Sequence, residues 1–215
     1  MQRMIRQFAL VQLVGVLFTV WAGDLETARA ALRDRLYPIA QTHAEKALKA
    51  GSGDRSQDLL VLLEALSEQG LYAELLRRLD LYDDVVRQNP QTGSFAYWRA
   101  VALLNTGRPL EAVKAAEAAK GAASPYAEAL LRIEARAKQA SGDLPGAFAV
   151  FADVDRISTN VLTRAANALE WALALNQFGR ADAALEVLKL QSELNASGNA
   201  VNDGALLRAR ILMRQ

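Results

Sequence analysis

The 215-residue chain contains no cysteine, one histidine and five prolines. Without cysteine there is no disulfide, no thiolate metal site, no thiol nucleophile and no lipid-modified cysteine to hold the chain to a membrane. His43 has no second histidine or carboxylate pair at metal spacing beside it, so zinc is unsupported and a Ser-His-Asp triad would rest on this one side chain. A surface or packing role is expected for it. Gly51-Ser-Gly53 lacks the Gly-Lys-Ser/Thr ending of a phosphate loop, and no Gly-x-Ser-x-Gly elbow occurs. Lys and Arg number 25 against 24 Asp and Glu, a balance that gives no basic field for nucleic acid. Asp80, Asp83 and Asp84 cluster on a helical stretch without the Gly-turned loop of alternating acids that a cation site needs, so they read as a solvated face. Runs of period two are scarce, which leaves strands almost unsupported. No catalytic residue, cofactor or metal is expected.

What is present is a repeat. Gly70, Gly107, Gly142 and Gly179 stand 37, 35 and 37 residues apart, each followed five residues later by Leu75, Ala112, Ala147 or Ala184. Five residues before each glycine stands an alanine (Ala65, Ala102, Ala137, Ala174), and seven before stand Leu63, Ala100, Ala135 and Ala172. Nine after come Leu79, Ala116, Phe151 and Leu188. A fixed period in the thirties flanked by helical patterns is the mark of a helical repeat array. Small residues at one phase on both sides of a turn let two helices approach closely. A fifth copy lies upstream without its glycine: Arg35 takes the turn position, with Ala28 and Ala30 before it and Ala40 and Ala44 after it. Pro38 and Pro145 share one phase and Pro109 is a residue away, all in the first turn of a following helix, where proline is tolerated. The expected helix pairs are 24–34 with 36–50, 56–69 with 71–88, 93–106 with 109–121, 126–141 with 144–155, and 162–178 with 180–194. A chain 52% hydrophobic and only 23% charged suits such a packed helical array rather than a disordered one.

These segments resemble the tetratricopeptide repeat family. Gly107-Arg-Pro-Leu-Glu-Ala-Val113 and Gly142-Asp-Leu-Pro-Gly-Ala-Phe148 look like its turn and second helix, and Ala100 and Ala135 stand where its first helix carries a small residue. Arg99 and Glu134 depart from the family's leucine, Lys138 departs from its usual aromatic, and the period exceeds its 34. The resemblance covers roughly residues 24–215. It implies an all-α, right-handed solenoid of antiparallel helix pairs, about five repeats plus a terminal helix, behaving as one elongated unit over 23–215.

Residues 1–22 form a separate object. Arg3 and Arg6 precede an uncharged apolar run from Phe8 to Ala22, and Val20-Trp21-Ala22 stands ahead of Gly23. This pattern fits a secretory signal peptide cleaved after Ala22, and its run is short for a membrane span of about 20 residues. Export to the periplasm or envelope of a bacterium follows as the expected localisation, with membrane contact only through the transient signal. A buried first helix and an uncleaved anchor are the alternatives.

Function follows from architecture. Repeat arrays of this kind present binding surfaces, so the expected role is a non-enzymatic scaffold or adaptor of the cell envelope that binds a peptide or protein on its concave face. A regulatory or substrate-presenting module of a larger exported enzyme and a cytoplasmic adaptor are the other readings. Positions 10, 6, 3 and 2 before each turn should line the inner face: Leu60, Glu64, Ser67 and Glu68; Tyr97, Val101, Leu104 and Asn105; Arg132, Arg136, Gln139 and Ala140; Leu169, Leu173, Asn176 and Gln177. The candidate peptide-binding residues are Tyr97, Val101, Asn105, Arg132, Arg136, Gln139, Leu169 and Asn176. Arg132 and Arg136, four apart, can project from one helical face and hold an acidic peptide, unless Glu128 or Glu134 pairs with them. The Lys and Asn pattern of family members that grip C-terminal carboxylates is absent. Trp98 and Trp171 read as packing between repeats. Ala205–Met213 looks like a further first helix, with Ala209 in phase 35 residues after Ala174, and its many apolar residues suggest a chain that continues or docks there.

Overall fold

The computed structural model describes residues 23–51, 53–89, 92–122, 124–194 and 197–214. The expected signal segment and its cleavage point lie outside the described residues. Among the described residues the chain is all-α, with twelve helices and no strand, and no helix is long and apolar enough to cross a membrane. The contacts among the described residues cluster into two compact units, one ending at residue 89 and one beginning at residue 92.

The first unit holds α1 (Asp24–Arg33), α2 (Tyr37–Ala50), α3 (Arg55–Glu68), α4 (Tyr72–Leu81) and α5 (Asp83–Gln88). The second holds α6 (Thr92–Asn105), α7 (Pro109–Ala118), α8 (Ala127–Ala140), α9 (Leu144–Ile157), α10 (Val161–Gln177), α11 (Ala181–Glu193) and α12 (Asn199–Leu212). Within each unit a helix packs on its neighbours in sequence, and the first helices α1 and α3, α6 and α8, and α8 and α10 also touch one another.

One turn recurs five times. Leu71 N–H donates to the Leu66 carbonyl at 2.9 Å and Gly70 N–H to Ser67 at 2.9 Å, the paired bonds of a Schellman motif. Arg108 and Gly107, Asp143 and Gly142, and Arg180 and Gly179 repeat the pattern onto Leu103 and Leu104, Lys138 and Gln139, and Leu175 and Asn176. Leu36 and Arg35 repeat it onto Ala31 and Leu32. The motif requires a left-handed residue, and the four glycines have φ between 71° and 89°. Arg35 has φ 59°, the one positive-φ residue other than glycine among the described residues. The turn is therefore set by hydrogen bonds and by what packs around it, with or without glycine. The residue after it also starts the next helix, since the carbonyls of Leu36, Leu71, Arg108, Asp143 and Arg180 accept from Ala40, Leu75, Ala112, Ala147 and Ala184.

The five residues that donate these bonds are 0% exposed, as are Leu63, Ala65, Ala100, Ala102, Ala135, Ala137, Ala172 and Ala174. The phase read from the sequence is thus the phase of the core. Phe151 closes the α8–α9 layer together with Ala135, Ala147, Val150 and Ala174, and Trp171 packs against both this cluster and the next one along. Trp98 is 6% exposed and meets Tyr97 and Tyr126 edge-on, so it joins α6 to the approach to α8.

Two elements differ from the sequence reading. The helix expected over 71–88 breaks at Tyr82 (φ −107°, ψ 33°) into α4 and α5. The acids read as a solvated face make this break favourable: Asp83 and Asp84 occupy the first turn of α5, where the helix dipole stabilises negative charge. They are also ion-paired, Asp83 with Arg87 at 2.7 Å and Asp84 with Arg55 at 3.1 Å. The last helix starts at Asn199 rather than near residue 205, and Ala209 is exposed instead of sharing the burial of its counterparts.

Candidate functional site

Asn105, Gln139, Ala140 and Gln177 sit two or three residues before a turn, which brings the ends of α6, α8 and α10 side by side. With Leu104, Arg136 and Phe178 they line an open cleft of about 460 Å³ within the second unit. Six of these seven residues belong to the positions that turn phase marks as the inner face.

The polar groups are held in place by the frame. Asn105 Nδ2 donates to the Val101 carbonyl one turn back at 2.8 Å. Gln139 Nε2 donates to Gln177 Oε1 at 2.9 Å, a bond between first helices one repeat apart. Arg136 is exposed, and among the described residues no ion pair is made to it. Phe178 is 46% exposed at the lip. One unpaired guanidinium, carboxamides with spare donors and acceptors, and an exposed ring are suited to an extended acidic segment that also offers an apolar side chain.

Other expected binding residues are committed elsewhere. Arg132 does not act with Arg136: its guanidinium takes Glu170 on α10 through Nη2 at 2.6 Å and Nε at 3.3 Å. The partner is neither Glu128, which accepts from Ser158 Oγ at 2.7 Å, nor Glu134, which is buried 3.5 Å from Lys138 Nζ. Lys138 also meets Glu117 on α7 at 2.7 Å, and that hydrogen bond raises the Lys138 pKa. Val101 is buried in the core. Tyr97 stacks face to face on Tyr126, centroids 4.6 Å apart. Leu169 packs against the α10–α11–α12 core, and half-buried Asn176 is not among the cleft residues.

Phe178 is the cleft residue that the sequence reading missed. The position before the turn residue carries Gln69, Thr106 and Ser141 in other copies, and a phenylalanine among polar counterparts was the signal.

In the first unit the same phase carries different chemistry. Leu60, Glu64 and Ser67 are half-buried on α3 and Glu68 is exposed. Burial, with the nearby Glu68 carboxylate, pushes Glu64 above the usual carboxylate range. The Tyr37 phenol on α2 is also raised, by desolvation and then by its hydrogen bond to Glu68. His43 Nδ1 lies 2.8 Å from Asp24 Oδ1, a link between α2 and α1. Among the described residues no group of three or more His, Asp or Glu is placed to hold a metal ion.

Compared with known proteins, the chain matches no family model, and no curated protein is significantly similar to it.

Proposed function

We propose that this chain is a non-enzymatic interaction scaffold whose helix pairs stack, within each unit, as a right-handed tetratricopeptide-like solenoid. On this reading the first helices of the second unit form the concave binding face. An acidic peptide segment of a partner protein lies along it, with a carboxylate on Arg136 and backbone groups on Asn105, Gln139 and Gln177. An apolar side chain of the segment rests on Phe178. The observation that supports this most is that residues selected by turn phase alone border one cleft containing a single unpaired cation. Export to the bacterial envelope belongs to the same reading and rests on the apolar run behind Arg3 and Arg6.

Affinity capture from native envelope fractions with wild type, Arg136→Glu and Arg136→Lys tests the proposal. A partner retained by wild type, lost with Arg136→Glu and partly recovered with Arg136→Lys is the expected result. Identical captured sets from all three proteins would contradict it.

A further inference from the structure

The cleft at Arg136 crosses three helices, and the spacing of those helices restricts what can lie in it. Leu104 and Asn105 stand at its α6 edge, and Gln177 and Phe178 at its α10 edge. Arg136, Gln139 and Ala140 of α8 occupy the centre. There the floor is low: Ala140 is exposed, ends in a methyl group, and shares a face of α8 with Arg136 one turn back. A peptide backbone can pass over Ala140 while one of its side chains reaches along α8 to the guanidinium. Both edges offer apolar surface, Leu104 half-buried and Phe178 46% exposed. Arg136 is the only charged residue in the lining. The width is set by the frame, because α8 and α10 are tied twice. Gln139 bonds Gln177 at 2.9 Å, and two turns earlier Arg132 pairs with Glu170 at 2.6 Å.

Packed helices stand about 8–10 Å apart between axes, so a segment crossing α6, α8 and α10 meets a new helix at about that interval. A β-strand returns a side chain to one face every two residues, about 6.6 Å, which falls short of the next helix. An α-helix returns one after a turn but advances only about 5.4 Å. The polyproline II conformation repeats every three residues at about 3.1 Å each, a period of about 9 Å that matches the spacing. Its backbone makes no internal hydrogen bonds, so its N–H and C=O groups stay open to the carboxamides of Asn105, Gln139 and Gln177.

We propose that the cleft selects an acidic segment in the polyproline II conformation, with apolar side chains three residues before and three residues after its central carboxylate. The carboxylate pairs with Arg136 over α8, and the flanking side chains meet Leu104 and Phe178. The inference rests on the acidic-peptide reading of this face and adds the register such a peptide must have.

The test titrates the full chain into fluorescein-labelled synthetic peptides and follows their anisotropy. The central peptide is Leu-Pro-Pro-Glu-Pro-Pro-Leu. Two companions place each Leu two or four prolyl-spaced positions from the Glu, and a third carries Gln in place of Glu. The three-residue spacing should bind about tenfold tighter than either other spacing, the ratio that one well-buried leucine supplies. Gln for Glu, and the variant Arg136→Glu, should each weaken that binding by about tenfold or more. Phe178→Ala, at an exposed position, should narrow the difference between spacings and leave the thermal melt as in wild type. Equal affinity at all three spacings, still lost with Arg136→Glu, would overturn the register and leave the acidic-peptide face standing. Tightest binding at two or four residues would overturn it in the same way. No binding of any peptide, or binding that Arg136→Glu leaves unchanged, would overturn the register and the reading beneath it together.

Discussion

Residues 23–89 and residues 92–214 use one turn geometry and surround it with different chemistry. The first unit makes its turns at Arg35 and Gly70 and carries Glu64 and Glu68 at the corresponding phase of α3. The second makes its turns at Gly107, Gly142 and Gly179 and carries Asn105, Arg136, Gln139 and Gln177 around a cleft. The small buried residues and the paired hydrogen bonds are common to both, so they constitute the frame. The charge of the face varies between the units because nothing in the frame depends on it. On the proposed reading, binding specificity is written on the positions that the core leaves free.

The largest break in this comparison comes from the frame itself. Phe151→Ala should destabilise the second unit by about 3–5 kcal/mol, because the ring is 0% exposed and its layer cannot collapse around the gap. Leu173→Ala, on the neighbouring helix α10 and 41% exposed, should stay within about 0.5 kcal/mol. Urea unfolding of the two variants reads the difference, and comparable losses would mean that the frame and the free face have been assigned wrongly.

Next come the turns. A Cβ at Gly142 meets nothing within 4 Å, so the cost of Gly142→Ala is that of a left-handed backbone alone, about 1–2 kcal/mol. Gly142→Val should cost more. Arg35 already bears that strain at φ 59°. Arg35→Ala should therefore be near neutral, and Arg35→Gly should gain roughly 0.5 kcal/mol once the greater freedom of glycine in the unfolded chain is offset. Melting curves in which Arg35→Gly and Gly142→Ala shift the same way would refute a shared turn geometry.

The ion pair Arg132–Glu170, each side chain 25% exposed, should contribute no more than about 1 kcal/mol, and less in high salt. Arg132→Ala should therefore lower the melting temperature slightly at low ionic strength and hardly at all in strong salt. A large, salt-independent loss would give Arg132 a packing role instead.

The smallest expected effect concerns the acidic face of the first unit. The carboxyl of Glu64 is raised by burial and by Glu68. Folding then favours the protonated form, and the stability contributed by this group is present below the unfolded pKa and lost as pH rises through the raised folded value. Glu64→Gln should raise the melting temperature at neutral pH and leave it unchanged near pH 4. A variant less stable than wild type at neutral pH would show that Glu64 makes a favourable contact in its ionised form.

Helix pairs, turn positions and buried phases could be read from the sequence because each depends on local geometry repeated five times. The frame was legible even at Arg35, where the neighbouring alanines kept the phase that the missing glycine would have marked. The break at Tyr82 was hidden because Asp80, Asp83 and Asp84 fit an uninterrupted helical face as well as a new helix start. The site was legible as a set of positions and less so as partnerships. Arg132 and Arg136 share a face, but Glu170 lies 38 residues beyond Arg132 on the next first helix, the same step that joins Gln139 to Gln177. Within-helix spacing sees Glu128 and cannot see Glu170. The exposure of Ala209 on α12 was also out of reach, since Gln191 of α11 packs against Gly204 there, a contact between helices with no local pattern.

The central claim is that the turn-proximal ends of α6, α8 and α10 are a partner-binding face. Photo-crosslinking from p-benzoylphenylalanine placed at Gln139, and for comparison at exposed Lys114 on α7, tests it in the native host. The account predicts a discrete adduct from position 139 that Arg136→Glu abolishes, and none from position 114. No adduct from 139, or the same adduct from both positions, would contradict it.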